Sequence, residues 1–560
     1  MFWLYTLKNA PDRYYLSMFL AVDRLYWQLQ GDEILEVSAP LFIGHAFRKS
    51  REGRLGVEAD FFMSNDLLPL RRRSSNSVKN LEELSVSLLS LLGGRVLLWE
   101  EIISCLQMHW GKNISQKKIR AGIQWLYLHK KVAICPAVTS FGAAAVWKCS
   151  RCGARREDLI ISSCARCNEQ CVSCNNCISL GRCRSCAPLF LFLDTEKRRK
   201  VKVSLQLPPL TVGQQKVADY CVQWLKKKEK ELLVWAVTGS GKTESLLPAV
   251  KKVLEEGGSV LWVTPRRDVV QELSPRFKEA FPGLEIVTLY RGSGPLWSKG
   301  PLVVATAHQA WRFYRRFQLV VVDEVDAYPL LGDETLYKGL DRAGRIPGKR
   351  ILLTATPLDR WLKKVRKGEL PVVLLPARYH GYPLPVPQVS ICRKLWTQLK
   401  RCGEVPSLES FIYQVIEKKG QGLLFVPRIG DVDVILTWIR KRLPELYDQS
   451  TGVSSRDPQR GEKILSFRRG EIRLLVTTTI LERGVTVPTC HVVVIGAEHM
   501  VFDKASLIQI AGRVGRSASY QQGKVLFIAT EATEGQQKAV HTIQRINRQA
   551  EKEGLLSKGI

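Results

Sequence analysis

The chain has 560 residues, enough for three or four domains at about 100–200 residues each, and it can bury large cores without disulfide staples. Hydrophobic residues make up 45% and charged residues 24%, a globular balance that excludes a disordered or fibrous chain. Lysine and arginine number 84 against 53 acidic residues, and the resulting +31 favours a polyanionic partner, either nucleic acid or an acidic membrane face.

In chain order, residues 1–75 carry the aromatic-rich runs FWLYTL and LYWQLQ, which read as strands of a small β-rich domain, and RRRSSNS at 71–77 reads as a linker. No signal peptide is expected at the start, because a basic stretch followed by a clean apolar run is missing. Over 80–148, LEELSVSLLSLL repeats apolar residues every three or four positions and predicts a helix. WEEIISCLQ and SQKKIRAGIQWLYLHK predict two more, and VAICPAV predicts a strand. Three short helices and a strand suggest a winged-helix-like unit, with a plain helical packing domain as the equal alternative.

Nine of the fifteen cysteines fall within 149–186. In a chain expected to be cytoplasmic such clustering reads as metal ligation rather than disulfides. They form the spacings Cys149-x2-Cys152, Cys164-x2-Cys167, Cys171-x2-Cys174-x2-Cys177 and Cys183-x2-Cys186. Paired CxxC knuckles present thiolates to one tetrahedral ion, so this module predicts two Zn²⁺ sites with one cysteine spare. The cleanest division takes Cys149, Cys152, Cys164, Cys167, Cys174, Cys177, Cys183 and Cys186 and leaves Cys171. A second division uses Cys171 with Cys174 and frees Cys177. An iron–sulfur cluster is the minority reading.

From about 208 the pattern becomes regular. LLVWAV, VLWVTP, LVVAT, LVVVDE, ILLTAT, LLFVP, RLLVTTT, VVVIG and VLFIAT recur with helical stretches between most of them. Such β-branched runs predict strands of parallel sheets buried on both faces, hence an α/β fold. The alternation is too long for one sheet. YHGYPLPVPQ, whose prolines cannot continue a sheet, divides it into lobes over 205–390 and 391–560. The tail predicts an amphipathic helix.

AVTGSGKT at 236–243 follows a strand and opens a helix, the context of a phosphate loop. Thr238, Gly239, Ser240 and Gly241 bring backbone N–H groups to the phosphates of ATP, Lys242 reaches the β- and γ-phosphates, and Thr243 holds Mg²⁺. Ala236 stands where the general motif has glycine. LVVVDEVDA ends a buried strand on Asp323, for Mg²⁺, and Glu324, for the attacking water.

With LTVGQQ (210–215), TPRRD (264–268), TAT (354–356), LLVTTTILERGVTVP (474–488) and QIAGRVGR (509–516), the set resembles superfamily 2 helicases. That resemblance implies two RecA-like lobes and a DNA-dependent ATPase. It makes Gln214 the adenine reader. It sets Gln509, Arg513 and Arg516 against the γ-phosphate from the second lobe. It implies nucleic-acid backbone contacts by Arg266, Arg267, Thr477 and Thr478. Thr486 stands where many relatives have an aspartate. With a winged-helix-like region and cysteine knuckles placed before an uninterrupted motor, the chain resembles the ComFA competence family. This implies a translocase drawing single-stranded DNA into the cytosol. The implied partners are the membrane channel ComEC and the phosphoribosyltransferase-like ComFC, with peripheral association at the inner membrane face. The alternatives are a PriA-like replication-restart helicase and, from another class, a zinc-stabilised DNA-binding regulator with a vestigial motor.

Overall fold

All nine apolar runs form strands, because each supplies a continuous β-branched segment that a parallel sheet buries on both faces. In the computed structural model, residues 1–52, 76–141, 146–195, 199–294, 296–482, 487–517, 520 and 523–557 are described. Two compact units are present, residues 1–206 with 250–351 and residues 207–249 with 352–560.

Seven strands form one sheet in the order Ile286–Leu289, Leu302–Thr306, Val260–Thr264, Phe317–Asp323, Gly344–Thr354, Glu231–Ala236 and Val372–Leu375. Six form a second in the order Gln388–Ile391, Val525–Ala529, Cys490–Ile495, Gln421–Phe425, Leu474–Thr477 and Ser450–Val453, with parallel pairing throughout. These are the sheets of the two RecA-like lobes. Between Leu375 and Gln388 the proline-rich stretch carries no strand. The tail forms the helix Glu534–Lys552, whose Ala539, Ile543 and Ile546 join the core of the second sheet.

The N-terminal segment is mixed rather than β-rich. Trp3–Leu7, Ala10–Ser17 and Ile34–Val37 form an antiparallel sheet, but LYWQLQ lies in the helix Leu20–Gln30. Val22, Leu25, Tyr26 and Leu29 recur at helical spacing and pack together against Trp125, and Gly31 closes the helix at φ +81°. Of the expected linker, residues 71–75 lie outside the described residues, and 76–77 open the helix Asn76–Leu92.

Next come the helices Asn76–Leu92, Trp99–Trp110 and Gln116–Leu128. A three-stranded antiparallel sheet covers them, in the order Val96–Leu98, Pro188–Phe192, Val132–Pro136. The cysteine segment lies between its second and third strands in sequence. It adds the hairpins Val138–Phe141 with Val146–Cys149 and Leu159–Cys164 with Glu169–Cys174.

Candidate nucleotide and metal sites

The strand Glu231–Ala236 delivers the phosphate loop to the helix Lys242–Glu255. The loop can turn this sharply because Gly239 and Gly241 sit at φ +77° and +71°. Gln214 braces it. In a capping box its side-chain carbonyl accepts from the Thr211 N–H at 2.9 Å, while its amide donates to the Ser240 carbonyl at 2.8 Å. Gly241 is favoured by its left-handed φ, and a Cβ there would also push the Gln214 amide, 2.1 Å away, out of its place against the loop. Ser240 and Thr243 are buried in the loop, and the Ser240 hydroxyl has no partner within the described residues.

Asp323 ends its strand with 1% exposure and accepts the Glu324 N–H at 2.8 Å. Glu324 adopts φ +51°, a left-handed turn that re-aims its side chain immediately after the strand. Arg267 is exposed and stacks its guanidinium 4.8 Å from the Tyr290 ring centre, while Arg266 is half-buried at the N-cap of the helix Arg267–Ala280. Thr477 and Thr478 are buried, and Thr477 turns its hydroxyl to the Thr478 carbonyl at 3.2 Å. Thr486 lies outside the described residues.

The arginine loop follows the helix Lys504–Ala511. Gln509 donates to Thr356 Oγ1 at 3.5 Å, joining the TAT motif to this helix. Arg513 donates twice to the Glu482 carbonyl, at 3.0 and 2.6 Å, and Arg516 donates through Nε to the Gly512 carbonyl at 3.0 Å. The phosphate loop touches this loop directly, because a Cβ on Gly512 would fall 2.0 Å from Thr238 Oγ1. Arg378, buried beneath both, gave no motif signal: it is a single arginine in a proline-rich connection.

The thiols gather in two sets, Cys149, Cys152, Cys174 and Cys177, and Cys164, Cys167, Cys171 and Cys186, with the sulfurs of each set within 4.8 Å of one another. The spacings Cys149–Cys177 at 3.7 Å, Cys152–Cys174 at 3.5 Å and Cys164–Cys186 at 3.9 Å are far longer than a disulfide. An ion about 2.3 Å from four sulfurs spaces them about 3.8 Å apart, so each set fits a tetrahedral metal. The pairing is interleaved along the sequence. It takes Cys171 into the second set, where the first division from sequence spares Cys171 and the second spares Cys177, and it leaves Cys183 outside both fours with its thiol beside those of Cys149 and Cys177. The reason is register: in the hairpin Cys171 stands opposite Ser162, two positions from Cys164.

A buried charge cluster fixes the first knuckle. Glu101 accepts from Arg151, which lies between Cys149 and Cys152, and from Arg312 at 2.8 Å. Its Oε2 also caps the helix Trp99–Trp110 by accepting the Leu98 N–H at 2.8 Å.

The chain matches the competence protein ComFA N-terminal domain over residues 80–191, the DEAD/DEAH box helicase family over 212–365 and the helicase conserved C-terminal domain over 407–518. It is 35% identical over 407 residues to the competence protein ComFA of Bacillus subtilis, covering 72% of this chain and 87% of that one. With ComFA of Streptococcus pneumoniae it shares 37% identity over 399 residues, 69% of this chain and 90% of that one. The ATP-dependent DNA helicase RecG of Treponema pallidum is 25% identical over 336 residues, 55% and 47% of the two chains. The chain belongs to the ComFA family of competence proteins and is a helicase-type, DNA-dependent ATPase of superfamily 2.

Proposed function

We propose that this ATPase is stimulated by single-stranded DNA and moves along it, drawing transforming DNA into the cytoplasm. The observation that carries the reading is the direct meeting of the phosphate loop, at Thr238, with the arginine loop, at Gly512. Arginines poised this way contribute about 10³–10⁵ in rate when they reach the γ-phosphate. Lys242 and Thr243 hold ATP and Mg²⁺, Asp323 shares the metal, Glu324 orients water, and Arg513 and Arg516 stabilise the transferring group. Gln214 supports the loop from below and reads adenine.

DNA lies along basic, backbone-contacting positions, with Arg267 and its Tyr290 platform foremost and Arg266 beside it. Because Thr477 and Thr478 are buried, they hold the turn that presents the neighbouring backbone to the strand. The two thiol sets bind zinc and stabilise a segment with little apolar core of its own. The order helix, strand, two helices, then two strands, with the last strand central, supports a winged helix that begins in 80–148 and closes with Pro188–Phe192, the cysteine module occupying the wing between them. Among the described residues no helix is long and apolar enough to cross a membrane. Attachment at the inner membrane face, through ComEC and ComFC, is part of the competence reading.

The deciding experiment measures ATP turnover with single-stranded DNA, duplex DNA, RNA and no nucleic acid. Single strands accelerate it most, and Lys242→Ala and Glu324→Gln abolish it. Turnover indifferent to nucleic acid removes the translocase reading. In cells, Lys242→Ala lowers transformation while survival after ultraviolet damage stays normal; the reverse pattern moves the chain to a replication-restart role.

A further inference from the structure

The connection between the strands Val372–Leu375 and Gln388–Ile391 carries Arg378, whose side chain is nearly fully buried. Its Nη1 donates to the carbonyls of Val514, at 2.7 Å, and Gly515, and its Nη2 donates to that of Gly512 at 3.3 Å. The residue that follows holds the opposite loop: the Tyr379 N–H donates to the Gly239 carbonyl at 3.2 Å. His380 adds a second contact to the arginine loop, Nε2 to the Gly515 carbonyl at 3.0 Å. The Tyr382 N–H donates to His380 Nδ1 at 3.2 Å, which leaves Nε2 as the protonated nitrogen and hence the donor. Three consecutive residues therefore grip both the phosphate loop and the arginine loop.

Arg378 is also a cation without a counter-charge. Among the described residues its partners are carbonyls alone, and its Nε has no hydrogen-bond partner. Burial, with Arg516 near by, pulls the guanidinium down to about 9. A buried charge in this condition is costly unless an anion joins it. The phosphate loop lies against the free nitrogen: a Cβ built on Gly239 would sit 3.8 Å from Nε. A nucleotide held by that loop brings the missing anion.

We propose that Arg378 is a nucleotide-binding and positioning residue of this ATPase. Its Nε–H donates to the terminal phosphates, while Nη1 and Nη2 hold the loop from Gly512 to Arg516 in register with them. Nucleotide arrival then satisfies the buried cation and fixes Arg513 and Arg516 in one event. The proposal rests on the nucleotide site of a helicase-type ATPase and not on the DNA-uptake reading, so failure of one leaves the other standing.

The test compares Arg378→Met and Arg378→Lys with the unaltered full-length protein. It reads kcat and KM for ATP, binding of a fluorescent non-hydrolysable ATP analogue, and thermal melting with and without that analogue. Arg378→Met keeps the stem and removes the charge. It weakens analogue binding and lowers kcat, each by about 10–100-fold, the range of one charge-assisted hydrogen bond. The melting rise on adding analogue shrinks with it. Arg378→Lys restores the charge but not the fork, so analogue binding recovers in part while kcat stays low. A merely structural brace gives a different pattern: lower melting without nucleotide, with KM, analogue binding and kcat per folded molecule unchanged. That pattern overturns the proposal, as does full recovery of kcat by lysine, which has no fork to hold the arginine loop.

Discussion

Replacing Glu101 with glutamine isolates one charge in the cluster beside the first thiol set. The carboxylate serves two guanidiniums, Arg151 and Arg312, whose side chains are 0% and 5% exposed. Glutamine retains an oxygen to cap the Leu98 N–H, so the helix Trp99–Trp110 keeps its start. It leaves two buried cations without a counter-charge. Removing one partner of a buried ion pair costs about 3–5 kcal/mol. At about 2–4 °C per kcal/mol for a domain of this size, the melting transition that contains Trp99 and Trp125 falls by about 6–20 °C. The assay is thermal unfolding followed by tryptophan fluorescence, with chelator-driven metal release measured beside it. Release speeds up in the variant because Arg151 sits between Cys149 and Cys152 of the first thiol set. Arg312→Met is the control. It leaves a balanced Arg151–Glu101 pair and costs less than Glu101→Gln. A Glu101→Gln melting point within 2 °C of the unaltered protein, an order-of-magnitude bound set by the same scaling, refutes the reasoning. So does a larger loss in Arg312→Met.

The remaining predictions use other parts of the molecule. Asp23 is buried, accepting from Tyr5, Ser17 and Gln124, and burial raises its carboxyl from 3.8 to about 7. An acid whose folded pKa is raised binds its proton more tightly when folded, so stability is fullest below pH 4 and is lost as pH rises towards 7; between pH 5 and 8 the melting point of Asp23→Asn falls less than that of the unaltered protein. Cys171→Ser removes one metal equivalent by elemental analysis, whereas Cys183→Ser keeps both, and the opposite result restores the division read from sequence. Gly512→Ala forces a Cβ against Thr238 and costs about 1–3 kcal/mol by overpacking, read as lower melting together with slower ATP turnover. Arg266→Ala with Arg267→Ala flattens the salt dependence of single-strand binding from a slope of about −0.7 per phosphate neutralised, and an unchanged slope moves the contact elsewhere.

The four strands missed in the two large parallel-strand sheets share a position. Ile286–Leu289, Val372–Leu375, Gln388–Ile391 and Ser450–Val453 are each four residues long, and each lies at the edge of its sheet. An edge strand is covered less completely than a central one, so Gln388–Ile391 (QVSI) and Ser450–Val453 (STGV) need not be continuously apolar, whereas Val372–Leu375 (VVLL) is apolar but too short to stand out. LYWQLQ failed for the opposite reason. Its aromatics favour strands locally, but Val22, Leu25, Tyr26 and Leu29 together find a helical face against Trp125. The nucleotide loop was legible because its chemistry is local: two glycines at left-handed φ, a lysine and a threonine must follow one another to wrap phosphate.

Charge was the sequence feature most easily misread. A net +31 suggests a surface for polyanions, yet among the described residues Arg95, Arg151, Arg312, Arg316, Arg378 and Arg513 are buried. For Arg95, Arg151, Arg312 and Arg316 the work is internal. Arg95 donates to the carbonyls of Trp297 and Ser298, about two hundred positions away in sequence, and Arg316 donates to that of Gly300. Guanidinium suits this role because its fan of donors satisfies several carbonyls at once and cannot be neutralised at ordinary pH. The same property makes an arginine serviceable where a phosphate is to come and go, since it can be held by carbonyls in one state and share an anion in the next. Sequence shows only that an arginine is present. Whether it meets a carbonyl, a carboxylate or a substrate depends on partners such as Glu101 for Arg312 and Gly512 for Arg378, each more than a hundred residues distant. Net charge alone therefore overstates the surface available to DNA, and an arginine with catalytic promise is one, such as Arg378, whose incompletely satisfied buried donor also faces the nucleotide loops.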